Sequence, residues 1–104
     1  MDAAIPALDS AVAADPAYPQ ANLWLAQAKS WRHKPTKEWT PTLIAADKGH
    51  AALDARERTL ATALSALSRD DYPAACRSYG ELRDRDTLDA IAWLGLALCQ
   101  AYDP

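Results

Sequence analysis

The chain has 104 residues, half of them apolar, which is enough for one domain with one hydrophobic core. Its formal net charge is −3 with acids and bases interleaved, so neither nucleic acid nor an anionic membrane is an expected partner. Alanine dominates the apolar residues, glycine occurs 3 times and phenylalanine is absent. This composition favours closely packed helices over a sheet.

The first two helices are separated by prolines. The first is predicted from Asp2 to Ala14, and it ends before Pro16 because proline cannot continue a helix. Pro19 suits the first turn of a second helix, which is predicted to reach Trp31. The segment RHKPTKEWTP then interrupts the helical pattern.

The third predicted helix depends on another proline. Thr40 is expected to be the N-cap and Pro41 the first helical residue, because a hydroxyl before proline is typical of a helix start. This helix is predicted to continue to about Ala52, weakened by Gly49.

Short acidic motifs mark the next two helices. Asp54 and Glu57 have the spacing of a capping box, which predicts a fourth helix ending near Ser68. Asp71 is expected to cap a fifth helix from Tyr72 to about Arg83.

The sixth predicted helix, Leu88 to Tyr102, is apolar on almost every side. Such a helix requires cover on all sides. We therefore expect self-association through the terminal helices, or cover by further helices of a longer protein. The run is too short to insert in a membrane.

Catalysis and metal binding have little support in the sequence. Cys76 and Cys99 lie in apolar helical patterns without metal-ligand spacing, and we expect them to be buried, reduced thiols. His33 and His50 are expected to be lone surface histidines. No phosphate-binding or nucleophile motif occurs. The expectation is a cytoplasmic, non-enzymatic protein without cofactors.

The helices also pair in a pattern that resembles the tetratricopeptide repeat. The segments YPQANLWLAQA and DAIAWLGLA resemble first helices of a repeat, and AAIPALDSAVAADP and DYPAACRSYGELRDRDT resemble second helices. The resemblance implies one all-α domain over residues 1–104, built as antiparallel helix pairs with incomplete repeats at both ends. The block LDARERTLATALSALSRDDYPAACRSYGEL is also similar to repeat regions of large bacterial regulators, including serine/threonine protein kinases.

The resemblance implies a non-catalytic module that binds a peptide, a helix or another copy of itself. The alternative is a regulatory or sensor segment of a larger signalling enzyme. The first helices of such repeats line a concave binding groove. Its side chains here would be Leu23, Gln27, Trp31, Leu60, Leu64, Leu67, Leu94, Leu98 and Tyr102. Trp93 is expected in the core, and Trp31 and Trp39 either pack on each other or remain exposed.

Overall fold

A computed structural model describes residues 4–31 and 35–102, and the side chains of residues 5–31 and 35–101. Within these ranges the protein is all-α, with six α-helices and no strand, which confirms the predicted fold class. The predicted helix start at Asp2, and His33 in the interrupted segment, lie outside the described residues. The helices are α1 (Ala4–Ala14), α2 (Pro19–Trp31), α3 (Thr36–Lys48), α4 (Ala55–Ser68), α5 (Tyr72–Arg85) and α6 (Ala90–Tyr102), with a 3-10 turn at His50–Ala52.

The chain forms two compact units, residues 1–57 and residues 58–104. In the first unit α2 packs against both α1 and α3. A buried amide holds the turn between α1 and α2, because the Asn22 side chain donates to the carbonyl oxygens of Pro16, at 3.0 Å, and Tyr18, at 2.9 Å. Asn22 is only 1% exposed, so its polar group is satisfied by the turn that it closes.

The third helix begins earlier than the sequence predicted. It starts at Thr36, so Pro41 lies inside the helix and Thr40 is not its N-cap. The Thr40 hydroxyl instead donates to the Thr36 carbonyl oxygen at 2.7 Å. The earlier start places Trp39 on the same helical face as Leu43, and both side chains are buried. Burial of a tryptophan therefore outweighs the cost of an internal proline.

The end of α3 is pressed closely against the start of α2. The helix ends at Lys48, and the predicted continuation to Ala52 is a separate 3-10 turn. A Cβ atom on Gly49 would collide with the ring of Pro19. Glycine at the helix end is required by this close approach of the two chain segments.

The predicted capping box at the start of α4 is confirmed. The Glu57 amide donates to Asp54 Oδ1 at 2.8 Å, and the Asp54 amide donates to Glu57 Oε1 at 3.1 Å. Each side chain thus satisfies a backbone group that the helix start would leave unpaired.

One tight corner joins α4 to α5. Asp70 has a φ of 56°, in the left-handed region, and the Asp71 amide donates to the Ala66 carbonyl oxygen at 2.9 Å. The Asp71 carboxylate accepts from the Ala74 amide at 3.2 Å, which confirms Asp71 as the N-cap of α5. Asp71 therefore closes one helix with its backbone and opens the next with its side chain.

The second unit is completed by α5 and α6, which pack against each other. The sixth helix starts at Ala90, later than predicted. Leu88 therefore lies in the connecting turn, where its side chain is 89% exposed. The N-cap of α6 is Asp89, whose carboxylate accepts from the amides of Ile91, at 3.1 Å, and Ala92, at 3.4 Å. In α5 the side chains of Ala75, Tyr79 and Leu82 are buried.

Candidate functional site

The cysteines correct one prediction directly. Cys76 of α5 and Cys99 of α6 form a disulfide, with their Cα atoms 5.8 Å apart, and are not reduced thiols. The pairing follows from the hairpin, because Cys76 lies ten residues before Asp86 and Cys99 lies ten residues after Asp89. Equal sequence distances from the turn place the two residues opposite each other in antiparallel helices. This symmetry is the sequence signal that we missed.

The two sulfur-bearing residues differ in their surroundings. Cys99 is 1% exposed, whereas Cys76 is half-buried and lines an open groove of about 520 Å³. The groove lies along α5 and α6 and includes two arginines and two acids. Its lining is Pro73, Cys76, Arg77, Gly80, Glu81, Arg83, Asp84, Leu96 and Gln100.

Next to this groove, Trp93 is held in place although it is exposed. The side chain is 48% exposed, so the predicted core position of Trp93 is incorrect. Its indole N–H donates to the Thr87 carbonyl oxygen at 2.8 Å, and the Arg83 guanidinium lies 5.5 Å from the ring centroid. The hydrogen bond and the cation–π contact fix the ring against the hairpin turn. Trp93 faces outward because Gly95 and Leu96 occupy the buried side of α6.

Trp93 belongs to an exposed apolar surface, which we call the α6 face and define as Leu88, Trp93 and Leu94. The three side chains are 89%, 48% and 46% exposed. The helix sequence AIAWLGLALCQAY carries no charged residue. Large exposed apolar side chains that lie close together in the chain are candidates for a contact site.

Four of the predicted groove residues are buried and do not form a surface. Leu23, Gln27, Leu60 and Leu64 are at most 1% exposed, so they belong to the interior and cannot contact a ligand in this structure. These side chains are buried between packed helices, whereas the repeat pattern had assigned them to a concave surface. The half-buried residues are Trp31, Leu67 and Leu98, and the exposed one is Leu94. The side chain of Tyr102 lies outside the described residues.

Trp39 and Trp24 have structural roles. Trp39 is buried, which decides against an exposed Trp39. Trp24 is half-buried, and its indole N–H donates to Glu57 Oε2 at 3.4 Å while the Arg56 guanidinium lies 5.4 Å from the ring centroid. Glu57 therefore supports both the α4 capping box and Trp24.

A second, more apolar groove lies in the first unit. It measures about 410 Å³, and its lining is Pro16, Ala17, Pro41, Ile44, Ala45, Lys48 and Gly49. Ile44 is 52% exposed at this groove. Lys48 is the one ionisable side chain in the lining, so the groove offers no set of groups for acid–base chemistry.

In the described part of the chain, the remaining polar residues form no metal centre. The structure places His50 in the 3-10 turn, exposed, with Nδ1 3.1 Å from the Asp47 carbonyl oxygen. Among residues 4–31 and 35–102, no group of three or more His, Cys, Asp or Glu side chains is arranged to hold a metal ion.

The chain has no match among protein-family models, curated proteins or solved structures. Within the described part of the chain, no helix combines the length and the hydropathy needed to cross a membrane. The candidate site is therefore defined by its geometry alone, as the α6 face and the adjoining disulfide groove.

Proposed function

We propose that this chain is a non-catalytic protein-interaction module that binds a second copy of itself through the α6 face. The observation that carries the proposal is Trp93, which is fixed by a hydrogen bond and a cation–π contact but leaves 48% of its surface open. A rigid tryptophan loses little conformational entropy when it binds, and tryptophans of this kind dominate the energetics of protein interfaces.

The chemistry of the α6 face favours another copy over a charged partner. Leu94 and Trp93 come from a helix without Asp, Glu, Lys or Arg, so a charged partner would lose hydration at these side chains without gaining an ion pair from them. The same face on a second copy is apolar as well, and two such faces related by a two-fold axis are self-complementary. Arg83 and Asp84 flank the face and would form a polar rim around an apolar centre.

The resemblance to tetratricopeptide repeats supports the same class of function, because these repeats act as scaffolds for protein contacts. The predicted cytoplasmic location loses support from the cysteines, because persistent disulfides are rare in a reducing cytoplasm.

The test is the molar mass in solution, measured by light scattering after size exclusion over a range of micromolar concentrations. The unmodified chain is expected to approach twice its 11.3 kDa mass as concentration rises. Leu94→Glu places a charge on the α6 face and is expected to leave a monomer. Ile44→Glu is the matched control, because Ile44 is a similarly exposed apolar residue on α3.

Circular dichroism must show that both variants keep their helix content. A monomeric unmodified chain at all concentrations would contradict the proposal. Loss of the dimer with Ile44→Glu but not with Leu94→Glu would show that the contact between copies lies in the first unit.

A further inference from the structure

We infer that Cys76 is a thiol–disulfide exchange site, at which a small-molecule thiol forms a mixed disulfide on Cys76 and releases Cys99. The two sulfurs of the bond differ in access, and the fold decides which of them reacts. This inference concerns the disulfide groove and does not depend on self-association through the α6 face.

Access distinguishes the two sulfurs. A thiolate must approach the sulfur that it attacks along the line of the existing sulfur–sulfur bond, so that sulfur needs open space on its far side. Cys76 lines the open groove of about 520 Å³, whereas Cys99 is 1% exposed among the buried residues of α6. A small thiol reaches Cys76 from the groove but cannot reach Cys99.

The charges around the groove permit an anionic reagent. Arg77 and Arg83 oppose Glu81 and Asp84 in the lining, so the groove has no net charge that would repel a thiolate. Arg83 forms an ion pair with Asp84 at 3.1 Å. Arg77 directly follows Cys76 and is the cation nearest in sequence to the reacting sulfur. A neighbouring cation favours an approaching thiolate.

The exchange is balanced with a thiol as the reductant. The thiolate attacks Cys76 Sγ, a new sulfur–sulfur bond forms, and the bond to Cys99 breaks with its electron pair on Cys99 Sγ, which takes a proton from water. A second thiolate then attacks the outer sulfur of the mixed disulfide and releases Cys76 as a thiolate. Two small thiols are oxidised to one small-molecule disulfide, and the protein disulfide is reduced to two thiols.

The thiol released at Cys99 has a hydrogen-bond acceptor nearby. Cys99 Sγ lies 3.2 Å from the Leu96 carbonyl oxygen, which can accept a hydrogen bond from the thiol once the bond has opened. Other side chains of the hairpin are buried besides Cys99, among them Tyr79 and Leu82 of α5 and Ala92 of α6. The α5–α6 pair can therefore remain folded while the mixed disulfide exists.

The experiment uses the oxidised chain and reduced glutathione as the probe. The reaction is quenched at short times with acid, free thiols are alkylated, and the peptides containing Cys76 and Cys99 are separated and weighed. We expect glutathione on Cys76 and the alkyl group on Cys99 in the intermediate. Equal amounts of glutathione on both cysteines, an excess on Cys99, or a bond that resists glutathione under folding conditions would each overturn the inference.

Single-cysteine variants give a second measurement. In Cys99→Ala the remaining Cys76 is expected to react with glutathione disulfide at least about tenfold faster than the remaining Cys99 of Cys76→Ala. In denaturant the two variants are expected to react at similar rates, which attributes the difference to the fold. If a variant does not fold, the quenched reaction of the unmodified chain still decides the question. Similar rates in the folded variants would contradict the inference.

Discussion

The ring of Tyr79 in α5 occupies the space that any side chain at Gly95 in α6 would need. A Cβ atom at position 95 would overlap the aromatic carbons of a tyrosine that is completely buried. The two helices approach closely here because one residue has no side chain and the other has a large, flat one.

Gly95→Ala is expected to destabilise the protein by about 1–3 kcal/mol, because the added methyl group overpacks a rigid interior contact. Gly80→Ala is the matched control. It also lies inside a helix, but a Cβ there would have its nearest neighbour, Arg83 Nη2, at 3.9 Å. Gly80→Ala is expected to stabilise by up to about 1 kcal/mol from helix propensity. Urea denaturation followed by circular dichroism measures both, and destabilisation by both variants would show that the Tyr79 contact is not the cause.

Reduction of the disulfide is expected to lower the free energy of unfolding by about 3 kcal/mol, because the bond closes a loop with a sequence separation of 23. Urea denaturation with and without a phosphine reductant measures this difference. The double variant Cys76→Ser, Cys99→Ser is the control and should show no response to the reductant. Before any unfolding, the intact mass of the oxidised chain should be two hydrogens below that of the reduced chain. Two free thiols in air-oxidised protein would contradict the pairing.

Asp54→Ala is expected to cost about 1 kcal/mol of stability, because the Glu57 amide loses its acceptor at the start of α4. Glu57→Ala is expected to cost at least as much, since it removes both the acceptor of the Asp54 amide and the acceptor of the Trp24 indole. Glu81→Ala is the control, because Glu81 is exposed in the middle of α5, and a change there should stay within about 0.5 kcal/mol. Equal effects of all three substitutions would exclude a specific role for the capping box.

Fluorescence distinguishes the exposed tryptophan from the buried one. Among the 4 tryptophans, Trp93 is half exposed and Trp39 is buried. Trp93→Phe is expected to remove much of the long-wavelength emission and of the quenching by acrylamide. Trp39→Phe is expected to remove short-wavelength emission and to leave the quenched fraction larger. An opposite pair of shifts would reverse our assignment of the two environments.

Features that depend on residues close together in the sequence could be predicted, whereas those that depend on tertiary contacts could not. Asp54 and Asp71 were correctly identified as caps because each cap involves residues three positions apart, and that spacing is visible in the sequence. The start of α3 was missed for the opposite reason. Pro41 has a strong local preference for a first turn, but the burial of Trp39 determines where this helix begins, and burial is a tertiary property.

The dependence on tertiary packing also explains why the residues of the candidate site were not predicted from the sequence. An apolar helix was recognised at the C-terminal end of the chain, but the pattern could not show which side of it α5 would cover. Trp93 was placed inside and Leu23 on the surface, whereas the structure has Trp93 exposed and Leu23 buried. The disulfide required the register between two antiparallel helices, which only the position of the turn relative to Cys76 and Cys99 supplies.

Asp71 couples the end of α4 to the start of α5, because it forms hydrogen bonds at both. Its amide completes the last turn of α4, and its carboxylate completes the first turn of α5. Both ends are secured by one residue, so neither can fray without disturbing the other. Hydrogen exchange at the end of α4 and at the start of α5 should therefore occur through shared opening events, as expected of a single cooperative unit.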